Sequence, residues 1–225
     1  SGLEDYLLRF KTLGEWAELV VNARVRGSEN LTFATSGSTG TPKQCPQQWD
    51  ALVNEARFFA TQFGPDTEQP AQRIIALSPC HHIYGFIFSV LLPLRLQLPV
   101  IRGPQAMALI NQRKLQAGDV LIGFPFIWGQ LSRQGTSFAA GITAITSTGP
   151  CDPRILCQLR QQGLERMIEV YGSSETAGIG LRSDPEVPFK LLPRWRRGGH
   201  ADTLSECASG ADYGLNDHLQ WLDQT

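Results

Sequence analysis

Apolar residues recur along this chain at two spacings, which separate the predicted helices from the predicted strands. The clearest helical pattern is WDALVNEARFFATQF at residues 49–63, where apolar side chains return every three or four positions. Further helices are predicted over 86–94 and around 106–115, 126–132 and 153–162. Short apolar runs that predict strands lie at 31–34, 73–77, 120–123, 144–146 and 167–171.

Strands and helices alternate from residue 28 to residue 184, and this alternation predicts the fold class. It is typical of an α/β protein with a mostly parallel sheet and flanking helices. Before this body, residues 1–27 predict a helical lead-in, because apolar residues recur there at helical spacing with a break near Gly14. Past Asp184 the chain is polar and aperiodic, so we expect a long loop within 185–225, with order resuming at 215–222.

Composition and charge exclude several classes of protein. Lys and Arg total 20 against 21 Asp and Glu, whereas a nucleic-acid-binding protein usually carries a basic excess. The 5 cysteines form no CxxC pair, and a disulfide scaffold is not expected at 225 residues, so we expect reduced thiols in a cytoplasmic protein. The longest apolar run, 83–94, is shorter than the roughly 18–20 residues that span a bilayer, so no membrane span is expected.

The sequence LTFATSGSTGTPKQ, residues 31–44, runs from a predicted strand into hydroxyl residues and glycines that end at Lys43. Backbone N–H groups and hydroxyls around one concavity bind phosphate oxygens, and a lysine adds positive charge. We therefore predict a phosphate-binding loop, with an ordinary flexible loop as the alternative. A Walker A motif is excluded, because Pro42 and Gln44 stand where that motif needs glycine and a hydroxyl residue.

A second loop, within IEVYGSSETAGIG at residues 168–180, carries one acid, Glu175, after a predicted strand. A carboxylate at the end of a parallel strand, beside a hydroxyl, suits a Mg²⁺ ion that bridges phosphates. Taken alone, Glu175 is interpreted as a solvated loop acid. Taken with the first loop, it predicts the metal-binding side of a phosphate site.

These two loops resemble signature motifs of the adenylate-forming superfamily, which contains acyl- and aryl-CoA synthetases, luciferases and peptide-synthetase adenylation domains. TSGSTGTPK resembles the phosphate loop of that family, and YGSSETAG resembles its tyrosine–glycine–x–threonine–glutamate motif, with Ser174 in place of threonine. PCHHIYGF, residues 79–86, resembles the His motif before the acyl-pocket helix. AITSTGPCDP, residues 144–153, is similar to the adenine-facing loop, where Gly-Gly-Ala-Pro is usual.

The resemblance implies an enzyme that activates a carboxylic acid with Mg·ATP. The carboxylate attacks the α-phosphorus to give an acyl-adenylate and pyrophosphate, and a thiol of CoA or of an acyl carrier protein then takes the acyl group. Lys43, His82 and Glu175 are the catalytic residues that the resemblance implies, with Ser174 and Glu175 holding Mg²⁺. His82 would lie between the acyl pocket and the thiol entrance. Without the motif it is interpreted as a core histidine or a loop cap.

The resemblance also implies a set of nucleotide-binding residues. The hydroxyl loop and Lys43 would hold the β- and γ-phosphates, and Tyr171 would flank adenine. LNDHLQWLD, residues 215–223, resembles the segment whose aspartate, here Asp217, holds the ribose hydroxyls. The full set is Thr35, Ser36, Gly37, Ser38, Thr39, Gly40, Thr41, Lys43, Gly149, Pro150, Tyr171, Gly172, Ser173, Ser174 and Asp217.

Five aromatic residues are candidates for the acyl pocket, and we expect about two of them to face the substrate while the others pack in the core. They are Tyr84, Phe86, Phe88, Phe126 and Trp128. This aromatic content favours an aryl or unsaturated acid as the substrate. The LLPRW segment also resembles ligases of aryl-polyene pigment pathways, which load carrier proteins.

Members of the family run to twice this length or more and have a mobile C-terminal lid, entered through a Gly-Arg-x-Asp hinge. Neither appears in the sequence up to Thr225, so we expect a trimmed adenylation core that ends in the start of a pre-hinge segment. We expect this chain alone to be poorly active. The alternative is a non-catalytic module that binds a nucleotide or a carrier protein.

Overall fold

An antiparallel hairpin begins the part of the chain that the structure describes. This structure is a computed structural model, and it describes residues 29–34 and 43–222; the predicted lead-in lies outside them. Strand β1 (Asn30–Ala34) pairs with β2 (Gln44–Gln48) in a sheet of their own. The pattern did not predict β2, because its sequence QCPQQ is polar and contains a proline, yet Cys45 and Gln47 alternate inward. The hairpin holds the two ends of the predicted phosphate loop together.

A seven-stranded sheet with helices on both faces follows the hairpin and confirms the predicted fold class. Its strands are β3 (Arg73–Ala76), β4 (Val100–Arg102), β5 (Asp119–Gly123), β6 (Thr143–Thr146), β7 (Arg166–Ser173), β8 (Ala177–Arg182) and β9 (Lys190–Leu191). They lie in the order β4-β3-β5-β6-β7-β8-β9. Strands β3 to β7 pair in parallel, and β8 and β9 extend the sheet with antiparallel pairing.

The helices pack on the two faces of the sheet and bury two apolar clusters. They are α1 (Trp49–Phe63), α2 (Ile83–Phe86), α3 (Leu92–Leu96), α4 (Gly103–Asn111), α5 (Pro125–Arg133) and α6 (Pro153–Gln161). Neighbouring strand residues point to opposite faces: Ile74 packs in the cluster with α1, α2 and α3, and Ile75 in the cluster with α4, α5 and α6. The bounds predicted for the helix at 49–63, which is α1, are confirmed at both ends.

Helices α2 and α3 are the ends of one continuous helix whose middle, Ile87–Leu91, is a π-helical turn. Pro93 lies in the last part of this helix and has no N–H to donate to the carbonyl of Ser89, four residues earlier. The Arg102 guanidinium donates to that carbonyl instead. Across residues 29–34 and 43–222, the structure has no helix with the length and apolar character needed to span a membrane.

The segment past Asp184 differs from the predicted long loop. It contains a three-stranded antiparallel sheet of β10 (Trp195–Arg197), β11 (Thr203–Glu206) and β12 (Asp212–Gly214). The buried Trp195 explains this order, because its indole N–H donates to the carbonyl of Gly178 at 2.7 Å and anchors the small sheet on the body. Residues 215–222 contain no helix or strand, and hydrogen bonds to Asp202 and to the carbonyl of Ala201 hold them in place.

A buried ion pair joins the first residues of two parallel strands. Arg73 donates through Nε to Asp119 Oδ1 at 2.5 Å and through a terminal nitrogen to Oδ2 at 2.9 Å. The Asp119 side chain is fully buried, and the backbone N–H of Gln116 also donates to it. This carboxylate therefore depends on Arg73 for most of its compensation.

Replacing Arg73 with alanine should destabilise the protein by about 3 kcal/mol, because removing one partner of a buried pair leaves the other charge uncompensated. Chemical unfolding of the variant measures this loss. The matched control is Arg154→Ala, which removes an arginine from the exposed pair with Asp152 and should leave the midpoint nearly unchanged. Equal losses in the two variants would contradict the assigned role of the buried pair.

Helix α1 buries an acid, Glu55, against strand β8. This residue is 7% exposed, and its Oε2 accepts a hydrogen bond from the backbone N–H of Gly178 at 3.0 Å. Burial raises the pKa of Glu55 from about 4.5 to about 7, against the opposing effects of that hydrogen bond and of the Arg194 charge. Folding therefore penalises the ionised form of this side chain.

This shift predicts how the stability advantage of Glu55→Gln depends on pH. Between about pH 4.5 and pH 7 the folded state keeps a proton on Glu55 that the unfolded state has lost, so the wild-type protein loses stability as the pH rises. Glutamine has no such titration. Relative to wild type, the variant should gain up to about 3 kcal/mol between pH 4.5 and pH 8. Urea unfolding at both pH values tests this, and a difference that does not change with pH would contradict it.

Candidate active site

The carboxyl ends of four parallel strands open into one cavity of about 810 Å³. Ser78 and Pro79 follow β3, Phe124 follows β5, and the segment 147–150 follows β6. The end of β7 adds Tyr171, Gly172 and Ser173. A ligand site is expected at this edge of an open parallel sheet, where the strand order reverses, here between β3 and β5.

The end of the predicted phosphate loop and the predicted metal loop meet beside this cavity. Lys43 Nζ lies 3.0 Å from Glu175 Oε1, although 132 residues separate them. The hydrogen bond from Lys43 lowers the pKa of Glu175, and the same bond raises the pKa of Lys43. A lysine and a carboxylate that meet in this way can bind a phosphate chain and its metal ion respectively.

Gln47 holds the metal loop against the hairpin, and the sequence analysis did not single it out. Its side-chain amide donates to the carbonyl of Ser174 at 2.8 Å and to that of Glu175 at 2.7 Å. Ser173 Oγ accepts from the N–H groups of Glu175 and Thr176, at 3.2 and 3.3 Å, and so fixes the turn. A buried glutamine in a polar strand gives no signal of this role in one sequence.

Tyr171 and Asp217, which the resemblance assigns to adenine and ribose, lie together on the cavity wall. The Tyr171 hydroxyl donates to Asp217 Oδ2 at 2.7 Å. Burial first, and then this hydrogen bond, raise the pKa of Tyr171. Phe189, which the sequence did not suggest, lies beside the Tyr171 ring with 5.6 Å between centroids, and Gly149 and Pro150 line the same cavity.

His82 lies on the cavity wall immediately before helix α2. Burial, followed by the nearby His81 ring at 4.3 Å between centroids, lowers the pKa of His82. The imidazole is therefore neutral at physiological pH and can accept a proton or a hydrogen bond.

Two of the five aromatic candidates for the acyl pocket line the cavity, namely Tyr84 and Phe88. The Tyr84 hydroxyl lies 2.9 Å from the carbonyl of Gly123 and 2.7 Å from that of Ile145, which fixes the ring against the sheet. The other three are not part of the wall. Phe86 and Trp128 pack in the core, on opposite faces of the sheet, and Phe126 is 68% exposed.

The structure therefore brings most of the predicted site to one edge of the sheet. Lys43, Glu175 and Ser174 lie at the hairpin, and His82, Gly149, Pro150, Tyr171, Gly172, Ser173, Ser174 and Asp217 line the cavity. The predicted phosphate ligands Thr35, Ser36, Gly37, Ser38, Thr39, Gly40 and Thr41 lie outside the described residues. Their roles stay predictions.

The donor set near Glu175 fits magnesium better than a metal held by protein side chains alone. Among residues 29–34 and 43–222 there is no group of three or more His, Cys, Asp or Glu side chains that could hold a metal ion. Mg²⁺ is usually bound through one or two carboxylates together with substrate phosphates and water. One carboxylate, Glu175, beside the Ser174 hydroxyl matches that pattern.

Comparison with known proteins gives relatives along the whole chain. A 4-coumarate–CoA ligase of Halorhodospira halophila is 37% identical over all of this chain, which spans 56% of that protein. A 4-coumarate–CoA ligase of Rhodobacter capsulatus is 36% identical over 98% of the chain and 58% of its own length. The chain thus spans little more than half the length of these relatives.

Solved structures share the fold. An acyl-CoA synthetase (AMP-forming)/AMP-acid ligase II-like protein from Dyadobacter fermentans superposes with a TM-score of 0.67 at 18% identity, over 90% of this chain and 60% of its own. ATP-bound MatB from Rhodopseudomonas palustris gives 0.60 at 19% identity, over 83% of this chain and 37% of its own. The model of the AMP-binding enzyme family matches residues 31–204. With most of its length inside that match, and with Lys43, Glu175, Tyr171 and Asp217 gathered at one edge of the sheet, the chain belongs to the family of AMP-binding enzymes.

Proposed function

We propose that the protein is an AMP-forming acid–thiol ligase that activates a carboxylic acid with Mg·ATP. In the first step a carboxylate oxygen of the acid bonds to the α-phosphorus, the bond from that phosphorus to the bridging oxygen breaks, and pyrophosphate leaves. In the second step a thiolate bonds to the acyl carbon and AMP leaves. The observation that carries the proposal is the Lys43–Glu175 pair beside a cavity that Tyr171 and Asp217 also line.

The charged groups fit the demands of the first step. Phosphoryl-type transfer depends on positioning and on neutralising charge, more than on covalent chemistry by the protein. Lys43 is 66% exposed and Glu175 42% exposed, so both can exchange their mutual bond for ligand bonds at little cost. In this proposal Lys43 binds the leaving phosphates, and Glu175 with Ser174 holds Mg²⁺, which would offset their negative charge. Gln47 keeps Glu175 in place through its backbone.

The remaining wall of the cavity supports a role for the nucleoside and the acid. Tyr171 and Asp217 would contact adenine and ribose, with Gly149 and Pro150 on the same side. Neutral His82 lines the cavity immediately before helix α2, and Tyr84 and Phe88 of the same helix line it too. We assign it to position the carboxylate of the acid and then the entering thiol.

The substrate proposed is an aryl or unsaturated acid, and the thiol is that of CoA. The apolar wall with Tyr84 and Phe88 supports an aryl or unsaturated acid. The names of the relatives, 4-coumarate–CoA ligases, support both this acid and CoA. The thiol of an acyl carrier protein is the alternative.

Incubating the whole protein with ATP, an aryl acid and hydroxylamine tests the activity, since an adenylate yields a hydroxamate. If no carboxylic acid gave a hydroxamate, the proposal would be wrong.

Lys43→Ala should weaken the binding of both Mg·ATP and Mg·tripolyphosphate by about tenfold or more, because it removes the positive charge from the phosphate site. Asp217→Asn should weaken the binding of ATP alone, since tripolyphosphate has no ribose. Calorimetric titration of the whole protein measures both effects. Lys114→Ala, at an exposed position away from the cavity, is the control. An unchanged ATP affinity in Lys43→Ala would overturn the assignment of this lysine.

Glu175→Ala should lower turnover in the hydroxamate assay by about 10²–10³, the usual loss for a charge contact made in the transition state. Raising the Mg²⁺ concentration should restore part of the rate, because the variant loses a metal ligand. Glu186→Ala, which removes an exposed acid from the loop after β8, is the matched control and should keep its rate. Unchanged kinetics for Glu175→Ala would remove this residue from the site.

A further inference from the structure

One buried acid on the cavity wall has no part in the chemistry proposed above. Glu55 lines the cavity from helix α1 and is 7% exposed. Phe59 lies four residues later on the same face of the helix, and its ring packs on Phe88 at 4.5 Å between centroids. The Phe88 ring in turn lies 5.2 Å from that of Tyr84. The face of helix α1 that carries Glu55 therefore packs against the aromatic residues of the cavity.

The hydrogen bonding of this carboxyl group is incomplete. Oε2 accepts from the backbone N–H of Gly178, and within the described part of the chain no donor reaches Oε1. The group approaches strand β8 so closely that a Cβ on Gly178 would lie 2.4 Å from Oε1, so only glycine permits this position. Most buried side-chain polar atoms have at least one hydrogen-bond partner, and Oε1 is open to one from the cavity that Glu55 lines.

The positive charge of Arg194 does not complete the hydrogen bonding of Glu55. Arg194, on the segment before β10, lowers the pKa of Glu55 through its charge but donates its hydrogen bonds to Glu206 and to the carbonyl of Thr176. Burial keeps the pKa of Glu55 raised in spite of that charge. A further hydrogen-bond donor from inside the cavity would stabilise the ionised form that burial penalises.

The charge of Glu55 also limits how an acid can lie in the cavity. A carboxylate placed beside the buried Glu55 would bring two negative charges together where water screens them poorly. The reacting carboxylate must therefore point away from Glu55, and the opposite end of the acid then lies near it.

We propose that Glu55 is a specificity-determining residue that accepts a hydrogen bond from a hydroxyl or amino group at the far end of the bound acid. This inference rests on the proposed function and deepens it. The preferred substrates are elongated acids that carry a hydrogen-bond donor at the end opposite the carboxylate. An acid without such a donor leaves the second oxygen of Glu55 buried and unpaired, which sites built for a polar group strongly disfavour.

Four cinnamic acids test the proposal in the whole protein. They are 4-hydroxycinnamate and 4-aminocinnamate, which carry a donor, and cinnamate and 4-methoxycinnamate, which do not. The wild-type kcat/KM for adenylate formation should be about 10- to 100-fold higher with the first two. If none of the four acids, nor any other carboxylate, gave a hydroxamate, the proposed function would be wrong. If all four reacted equally well, only the role of Glu55 would be wrong.

Variants assign the preference to this side chain. Glu55→Leu should reduce the ratio of kcat/KM for 4-hydroxycinnamate over cinnamate to near 1, and Glu55→Gln, which keeps an acceptor oxygen, should give an intermediate ratio. Because the ratio compares two substrates on one variant, a general loss of folded protein cancels, and Glu55→Gln decides the matter if the leucine variant does not fold. Asp50→Asn, an exposed acid on the same helix, should keep the wild-type ratio. A wild-type ratio in Glu55→Gln and Glu55→Leu would overturn the proposal.

Discussion

Parallel pairing of β3, β5, β6 and β7 determines where the cavity of this molecule lies. Parallel strands end at the same edge of the sheet, so the loops that follow them meet there even when they lie far apart in sequence. Ser78 and Tyr171 are 93 positions apart by number and line the same cavity because each follows or ends a parallel strand. The two apolar clusters, one on each face, hold this edge in shape, and the connections that form it are free to carry polar residues.

The antiparallel hairpin brings an exposed lysine to that edge. Lys43 immediately precedes the return strand of the hairpin, and Gln47, four residues later, donates to two carbonyls of the loop after β7. The buried amide of Gln47 therefore fixes the loop that carries Glu175, whereas the Lys43–Glu175 pair beside it is exposed. Buried hydrogen bonds to the backbone hold the position, whereas the exposed charges remain available to a ligand.

The sequence predicted most of the fold because periodicity reports burial directly. Helix α1 and the strands β3, β5, β6 and β7 carry apolar residues at the spacing of their element, and each lies close to its predicted place. The pattern missed β2, β4, β8 and the strands past Asp184, because pairing with a partner strand and a few anchors such as Trp195 stabilise them. Such long-range contacts leave little periodic trace in a short segment.

The site could be predicted only where a motif or a charge announced it. The composition of their loops suggested Lys43 and Glu175, and the family resemblance implied Tyr171 and Asp217. The structure brings the four together as two close pairs. Gln47, Phe189 and Glu55 were missed, because one sequence does not show which side chain of a helix or strand faces a cavity. The aromatic candidates show the same limit: Phe86 and Phe88 differ by two positions, yet Phe88 alone of the two reaches the wall.

Two carboxylates near one cavity, Glu175 and Glu55, differ in their surroundings and therefore in the roles they can take. Glu175 is 42% exposed and bonded to Lys43, which lowers its pKa and keeps it ionised for a cation. Glu55 is buried with one backbone donor, and burial raises its pKa to about 7, so its ionised form needs a further donor. In the proposed reaction, the buried charge of Glu55 would keep the carboxylate of the acid away from it. Glu175 would then serve the metal ion while Glu55 orients the substrate.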